Sequence, residues 1–167
     1  MKLLVAPALS LALSMSIMPM PSHASSPAGD LALHAPTTED HDAIRALLDR
    51  YTRCVTSGDE TGFRALLLDD DIPFSAVSPA RADKPMTTAT LRHYADFRDA
   101  AFRSGRHFEQ TFTNVLIEQD GPLAQASLDF VTRQGADGSA GWKVLQLVKT
   151  AEGWKIASEF FTVRSLR

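Results

Sequence analysis

The apolar residues of this chain change their period once, at Gly105, and that change restricts the fold more than any motif does. Before Gly105 they recur at helical spacing; after it they alternate. Ile44, Leu47, Leu48, Tyr51 and Val55 form one stripe of a helix that starts at Thr37, where Thr37 and Asp40 resemble a capping box, and stops at Ser57-Gly58. Asp59 can cap a second, shorter helix through Phe63, Leu66 and Leu67, closed by the acidic run Asp69-Asp70-Asp71. Residues 72–77 read as a short strand and 78–86, with Pro79 and Pro85, as a surface loop. Residues 87–104 read as a third helix with Leu91, Tyr94, Ala101 and Phe102 inward. Four long strands follow at 107–119, 122–134, 142–150 and 154–163, joined by Asp120-Gly121, a 135–141 loop and Ala151-Glu152-Gly153. Short links make neighbours antiparallel. Helices followed by strands is the segregated order of an α+β domain, with a curved antiparallel sheet covered on one face by three N-terminal helices.

The amino terminus has a different character. Met1-Lys2, an apolar run from Leu3 to Met18 diluted by Ser10, Ser14 and Ser16, then Pro19, Pro21 and the small-x-small Ser22-His23-Ala24 give the succession of a secretion signal. A spanning helix needs about 20 apolar residues, more than this run supplies. We therefore expect residues 1–24 to be a signal peptide cleaved after Ala24, 25–37 a flexible lead-in, and 38–167 the domain, periplasmic or secreted and with no membrane span after cleavage. The 17 Lys and Arg against 20 Asp and Glu give a formal net charge of −3, which argues against a nucleic-acid partner. Cys54 is the only cysteine, so stability in an oxidising compartment must come from the core.

Sorting the strands by parity gives two faces. The more apolar one holds Phe108, Gln110, Phe112, Asn114 and Leu116; Ala126, Leu128 and Phe130; Trp142, Val144, Gln146 and Val148; and Trp154, Ile156, Ser158 and Phe160. That face should meet the helices. Its polar members Gln110, Asn114, Gln146 and Ser158 then lie where water is scarce, and with Tyr51 they are the candidate ligand-binding residues. Either they satisfy one another or they line a small-molecule site, since an apolar cavity with a few convergent polar groups is the usual form of one. The other face combines Val115, Ile117, Val131, Leu145, Leu147 and Phe161 with Glu109, Asp129, Lys143 and Glu159, an apolar patch rimmed by charge that predicts a homodimer. No metal site is expected, because the acidic run lacks a calcium-loop spacing and the histidines lack zinc spacing. Gly135, Gly138 and Gly141 do not have the dinucleotide-binding spacing, and no cofactor is expected.

The segment Leu48-Asp49-Arg50-Tyr51-Thr52-Arg53-Cys54-Val55-Thr56-Ser57-Gly58-Asp59, continuing through Phe63 to Asp71, resembles the opening helices of SnoaL-like members of the nuclear transport factor 2 superfamily. The closing Gly153-Trp154-Lys155-Ile156-Ala157 resembles their last strand. The resemblance implies a cone-shaped sheet and pairing of subunits through it. It also implies a hydrogen-bond donor role for Tyr51, as in the superfamily's ketosteroid isomerases. Those enzymes need a carboxylate base near position 75, where this chain has Ser75, which cannot abstract a carbon-bound proton. The sequence thus points to an exported domain binding a small hydrophobic ligand. The alternatives are a cofactor-free isomerase, dehydratase or hydrolase using the same pocket, and a ligand-free interaction or dimerisation module; no catalytic residue is assigned.

Overall fold

The computed structural model describes residues 34–77 and 87–166. The leader, most of the lead-in and the expected 78–86 loop lie outside the described residues. The lead-in's described end is tied to the domain, because the Gln119 N–H donates to the His34 carbonyl at 2.8 Å.

Helix α1 spans Thr38–Ser57; the Thr37 hydroxyl accepts from the Asp40 N–H at its start, and Gly58, left-handed at φ 73°, ends it. The short α2, Glu60–Arg64, is capped by Asp59, whose carboxylate accepts from the Gly62 N–H. Strand β1, Phe74–Val77, follows. The expected third helix is divided. Residues 88–90 form one 3₁₀ turn and α3 runs only over Tyr94–Ala101. The reason is a competing partner: the Phe74 N–H donates to the Arg92 carbonyl, the Tyr94 N–H donates to the Ile72 carbonyl, and Pro73 bridges to His93, which holds 91–93 extended beside β1.

Strands β2 (Glu109–Asp120), β3 (Leu123–Gln134), β4 (Asp137–Thr150) and β5 (Gly153–Thr162) pair antiparallel in sequence order. Two corrections follow. The sheet is mixed, because β1 joins the free edge of β5 in parallel, with Phe74 opposite Glu159. The expected 135–141 loop is mostly strand, since β4 begins at Asp137 and pairs there with β3 and with a short terminal β6, Arg164–Leu166. Gly141 makes the passage from β5 to β6 possible, as a Cβ there would lie 1.8 Å from the Thr162 carbonyl oxygen.

Two bulges decide which side chains are interior. In β2 the register shifts between Thr113 and Leu116, with Asn114 at φ 52°, so Gln110 and Phe112 point into the core while beyond the bulge Val115, Ile117 and Gln119 do. In β5, Ser158 pairs with Gln146 but Ile156 with Leu147, which leaves Ala157 unpaired. Trp154 and Ile156 are interior before it, and Glu159 after it. The expected helix-facing set is corrected accordingly: Phe108, Gln110, Phe112, Ala126, Leu128, Phe130, Trp154 and Ile156 keep that face, whereas Asn114, Leu116, Ser158 and Phe160 turn to the other. All of β4 is inverted, with Lys143, Leu145 and Leu147 inside and Trp142, Val144, Gln146 and Val148 outside. Val144, Val148 and Trp142 are as apolar as the residues beside them, so alternation alone does not choose between the faces of β4.

One polar clamp joins α1 to this sheet. Asp40, buried in the first turn, accepts from Trp154 Nε1 at 2.9 Å, from Gln119 Nε2 at 2.8 Å and from Lys149 Nζ at 2.7 Å, thereby reaching β5, β2 and β4. Lys149 first, then Gln119 and Trp154, hold its carboxyl well below the usual aspartate range. The unfolded chain therefore binds more protons in that window, and Asp40's contribution to stability is complete above the usual range and fades as pH falls. The urea midpoint is expected to drop as pH is lowered from about 6 to about 3, and to drop less in Asp40→Asn. An equal drop in the variant would remove Asp40 from the acid response.

Candidate functional site

Tyr51 lies on the buried stripe of α1 and meets two residues whose charge the fold has taken out of water. Lys143 on β4 is 2 % exposed and Glu159 on β5 is 0 % exposed. Lys143 Nζ lies 2.7 Å from Glu159 Oε1 and donates to the Tyr51 hydroxyl at 2.7 Å; that hydroxyl donates to Glu159 Oε1 at 3.1 Å. The three form a closed triangle. Around the ammonium stand the rings of Tyr51, Phe112, Phe130 and Phe161, with centroids 4.5 to 5.4 Å away, so its remaining surface faces aromatic quadrupoles. Burial pushes the Glu159 carboxyl above and the Lys143 ammonium below their ordinary values, while each partner's charge works in the opposite sense. Burial, with Glu159 adding to it, also drives the Tyr51 phenol well up, which keeps its proton in place as a donor.

Beside the triangle is a cavity of about 150 Å³ whose walls include Val55, Phe97, Phe108, Phe130 and Phe161, together with Gln110, Thr132, Ser139, Lys143 and Glu159. Gln110 Nε2 donates to Thr132 Oγ1 at 2.9 Å. Two buried acceptors on these walls, Glu159 Oε2 and Gln110 Oε1, have no hydrogen-bond partner among the described residues. Such atoms are uncommon, because a buried polar group left unpaired costs about 1–3 kcal/mol. Glu159 and Gln110 thus border an apolar chamber, each with one oxygen unpartnered, and convergent polar groups beside an apolar cavity are the usual form of a small-molecule site.

The structure brings Tyr51 and Gln110 into one neighbourhood, with Gln110 on the cavity wall and Tyr51 behind Lys143 and Glu159. It places the other expected residues elsewhere. Asn114 sits at the β2 bulge and donates to Asp129 in an exposed pair, and Ser158 donates to Gln146 on the opposite face of the sheet. Lys143 and Glu159 carried the wrong expectation, that of a charged rim around an exterior patch. That patch is corrected, for Ile117, Leu145 and Leu147 belong to the core. A usable signal was present: Lys143 and Glu159 each stand alone in an apolar stretch, with opposite charge, on strands one short turn apart.

A family model for the SnoaL-like domain matches residues 36–158. The chain belongs to the SnoaL-like domain family. Solved structures agree on the fold. A nuclear transport factor 2-like protein of unknown function from Pseudomonas putida is 16% identical with TM-score 0.61, covering 77% of this chain and 89% of its own. One from Shewanella baltica is 16% identical with TM-score 0.56, covering 78% and 98%. A cystatin-like-fold protein of unknown function from Nostoc punctiforme is 12% identical with TM-score 0.58, covering 77% and 93%. No curated protein matches the sequence. In this SnoaL-like domain Ser75 is itself buried, its hydroxyl 3.4 Å from the Arg92 N–H, and the carboxylate at the cavity comes from the neighbouring strand β5.

Tyr51→Phe retains the ring against Phe63 and Phe112 but removes the acceptor for Lys143 and the donor to Glu159. It is expected to cost about 1–3 kcal/mol in denaturant unfolding. Unchanged stability would show that the hydroxyl is dispensable to the pair.

Proposed function

We propose that this is an exported small-molecule-binding domain whose ligand occupies the cavity between α1, α3 and the sheet. The observation that carries the reading is the pair of unpartnered buried acceptors, Glu159 Oε2 and Gln110 Oε1, on the walls of an otherwise aromatic chamber. The reading takes the sheet to be curved into a cone covered on one face by the helices, in keeping with bulges in β2 and β5 that bend their strands. Protein purified from its own host is expected to carry a small hydrophobic compound visible by native mass spectrometry, and a panel of such compounds is expected to raise its unfolding temperature. Neither a carried compound nor a shift from any panel member would defeat the reading.

A second reading is a cofactor-free isomerase, dehydratase or hydrolase using the same cavity. It is favoured by one observation, a buried carboxyl beside an ammonium and a phenol, which are the groups that acid–base chemistry needs. The ligand-free interaction module is the weaker alternative, since it leaves the open acceptors without a purpose.

Export and pairing belong to the same proposal. Export rests on the Met1–Ala24 pattern. Pairing rests on the exposed sheet face, where Leu116 at 58 %, Trp142 at 51 %, Val144, Val148 and Phe160 make an apolar surface, and on the resemblance to relatives that pair through this sheet. Exported protein is expected to have a mass beginning at Ser25 and to scatter light as a dimer at tens of micromolar; a retained leader or a monomer would overturn the respective half.

A further inference from the structure

Resting on the cavity reading above, we infer that the ligand is an uncharged compound of about one ring in size, bearing a hydroxyl that hydrogen-bonds to Glu159. Three observations converge on that class.

The first is volume. At about 150 Å³ the cavity is the size of apolar cavities known to take one benzene-like molecule. Phe97, Phe108, Phe130 and Phe161 on its walls favour a flat or compact apolar body over an extended chain.

Charge balance is the second. Lys143 and Glu159 already neutralise each other at 2.7 Å. An anionic ligand would meet the Glu159 carboxylate, and a cationic one would crowd the Lys143 ammonium; either would bring an unbalanced charge into a site sheltered from water. A neutral ligand carries neither penalty.

The third is the unused hydrogen-bonding capacity. Glu159 Oε1 is occupied by Lys143 and Tyr51, while Oε2 has no partner. An ionised carboxylate only accepts, so its complement is a donor. A hydroxyl also accepts, and so it suits this carboxyl in either protonation state, which an N–H does not. Gln110 is less selective: Thr132's hydroxyl can give or take, so the free end of the amide can present an oxygen or an N–H. A hydrocarbon, ether or ketone would fill the space and leave Glu159 Oε2 bare.

Calorimetric titration of the full mature protein with phenol, cyclohexanol, toluene, benzoate and benzylamine tests the inference. Phenol and cyclohexanol are expected to bind about tenfold or more tightly than toluene, the gain of one hydrogen bond to a charged acceptor. Benzoate and benzylamine, charged at neutral pH, are expected to bind more weakly than toluene. The double variant Lys143→Met with Glu159→Met removes both charges and the carboxylate acceptor together; it is expected to lose most of the preference for the hydroxyl over toluene. Toluene binding as tightly as phenol would overturn the hydroxyl assignment, by showing that nothing or only water serves Glu159, and would leave the cavity reading standing. Preferred binding of benzoate or benzylamine would overturn neutrality. A double variant with the full preference would overturn Glu159 as the acceptor; if that variant does not fold, the wild-type series decides alone. Absence of binding by every ring compound would overturn this inference and the cavity reading together.

Discussion

Lys143 and Glu159 meet at 2.7 Å in a place where neither side chain reaches water. Withdrawing each ion costs several kcal/mol, and the attraction between them repays that only where geometry and further hydrogen bonds are good. The surrounding structure supplies both. The antiparallel β4–β5 ladder sets Leu145 opposite Glu159 and Lys143 opposite Phe161, so the two charges are diagonal neighbours on one face and need no loop to find each other. Helix α1 contributes the Tyr51 hydroxyl, and four aromatic rings cover the rest of the ammonium. Apolar residues of the same volume would serve stability as well as a buried ion pair does. The pair is thus better explained by the chamber it borders than by the core it belongs to.

Glu159 faces inward because of a bulge. Without the extra residue at Ala157, the parity that turns Trp154 and Ile156 inward would also turn Ser158 inward and Glu159 to the outer face, where Ser158 now lies bonded to Gln146. The bulge at Asn114 in β2 does the same on the other side, burying Ile117 and Gln119 and exposing Leu116. Each adds one residue on one strand, and each exchanges the faces of everything beyond it. The inner face thereby gains Glu159, opposite the unbulged β4 that already turns Lys143 inward, while the outer face gains Leu116.

Two polar clusters hold α1 to the sheet, and they differ in kind. At Asp40 both carboxylate oxygens are engaged by Lys149, Trp154 and Gln119, as befits a clamp. At Glu159 one oxygen is engaged and the other is not. The clamp also leaves Gln119 Oε1 without a partner, so what sets Glu159 apart is that it carries its unpartnered oxygen beside an apolar cavity, on a scaffold whose fold by itself is compatible with many functions.

The sequence alone determined whatever depends on local period and capping. The stripe Ile44 to Val55 with Thr37 and Gly58 at its ends made α1, and alternation after Gly105 made the four long antiparallel strands; residues 48–71 and 153–157 carried the family. Tyr51 and Gln110 were legible as candidates because each is a polar group on an apolar stripe. Other features depended on partners distant in the chain. Residues 91–93 left the helix because β1 offered them backbone partners, and β1 paired in parallel with β5 because that edge was free. Glu159 entered the interior through a bulge in β5, and Lys143 through the choice of β4's inner face, which its own alternation does not record. Local propensities act over a few residues and are written in their neighbours, but a sheet's inner face is settled by pairing across the whole domain, and only the assembled fold decides which charges it takes inside.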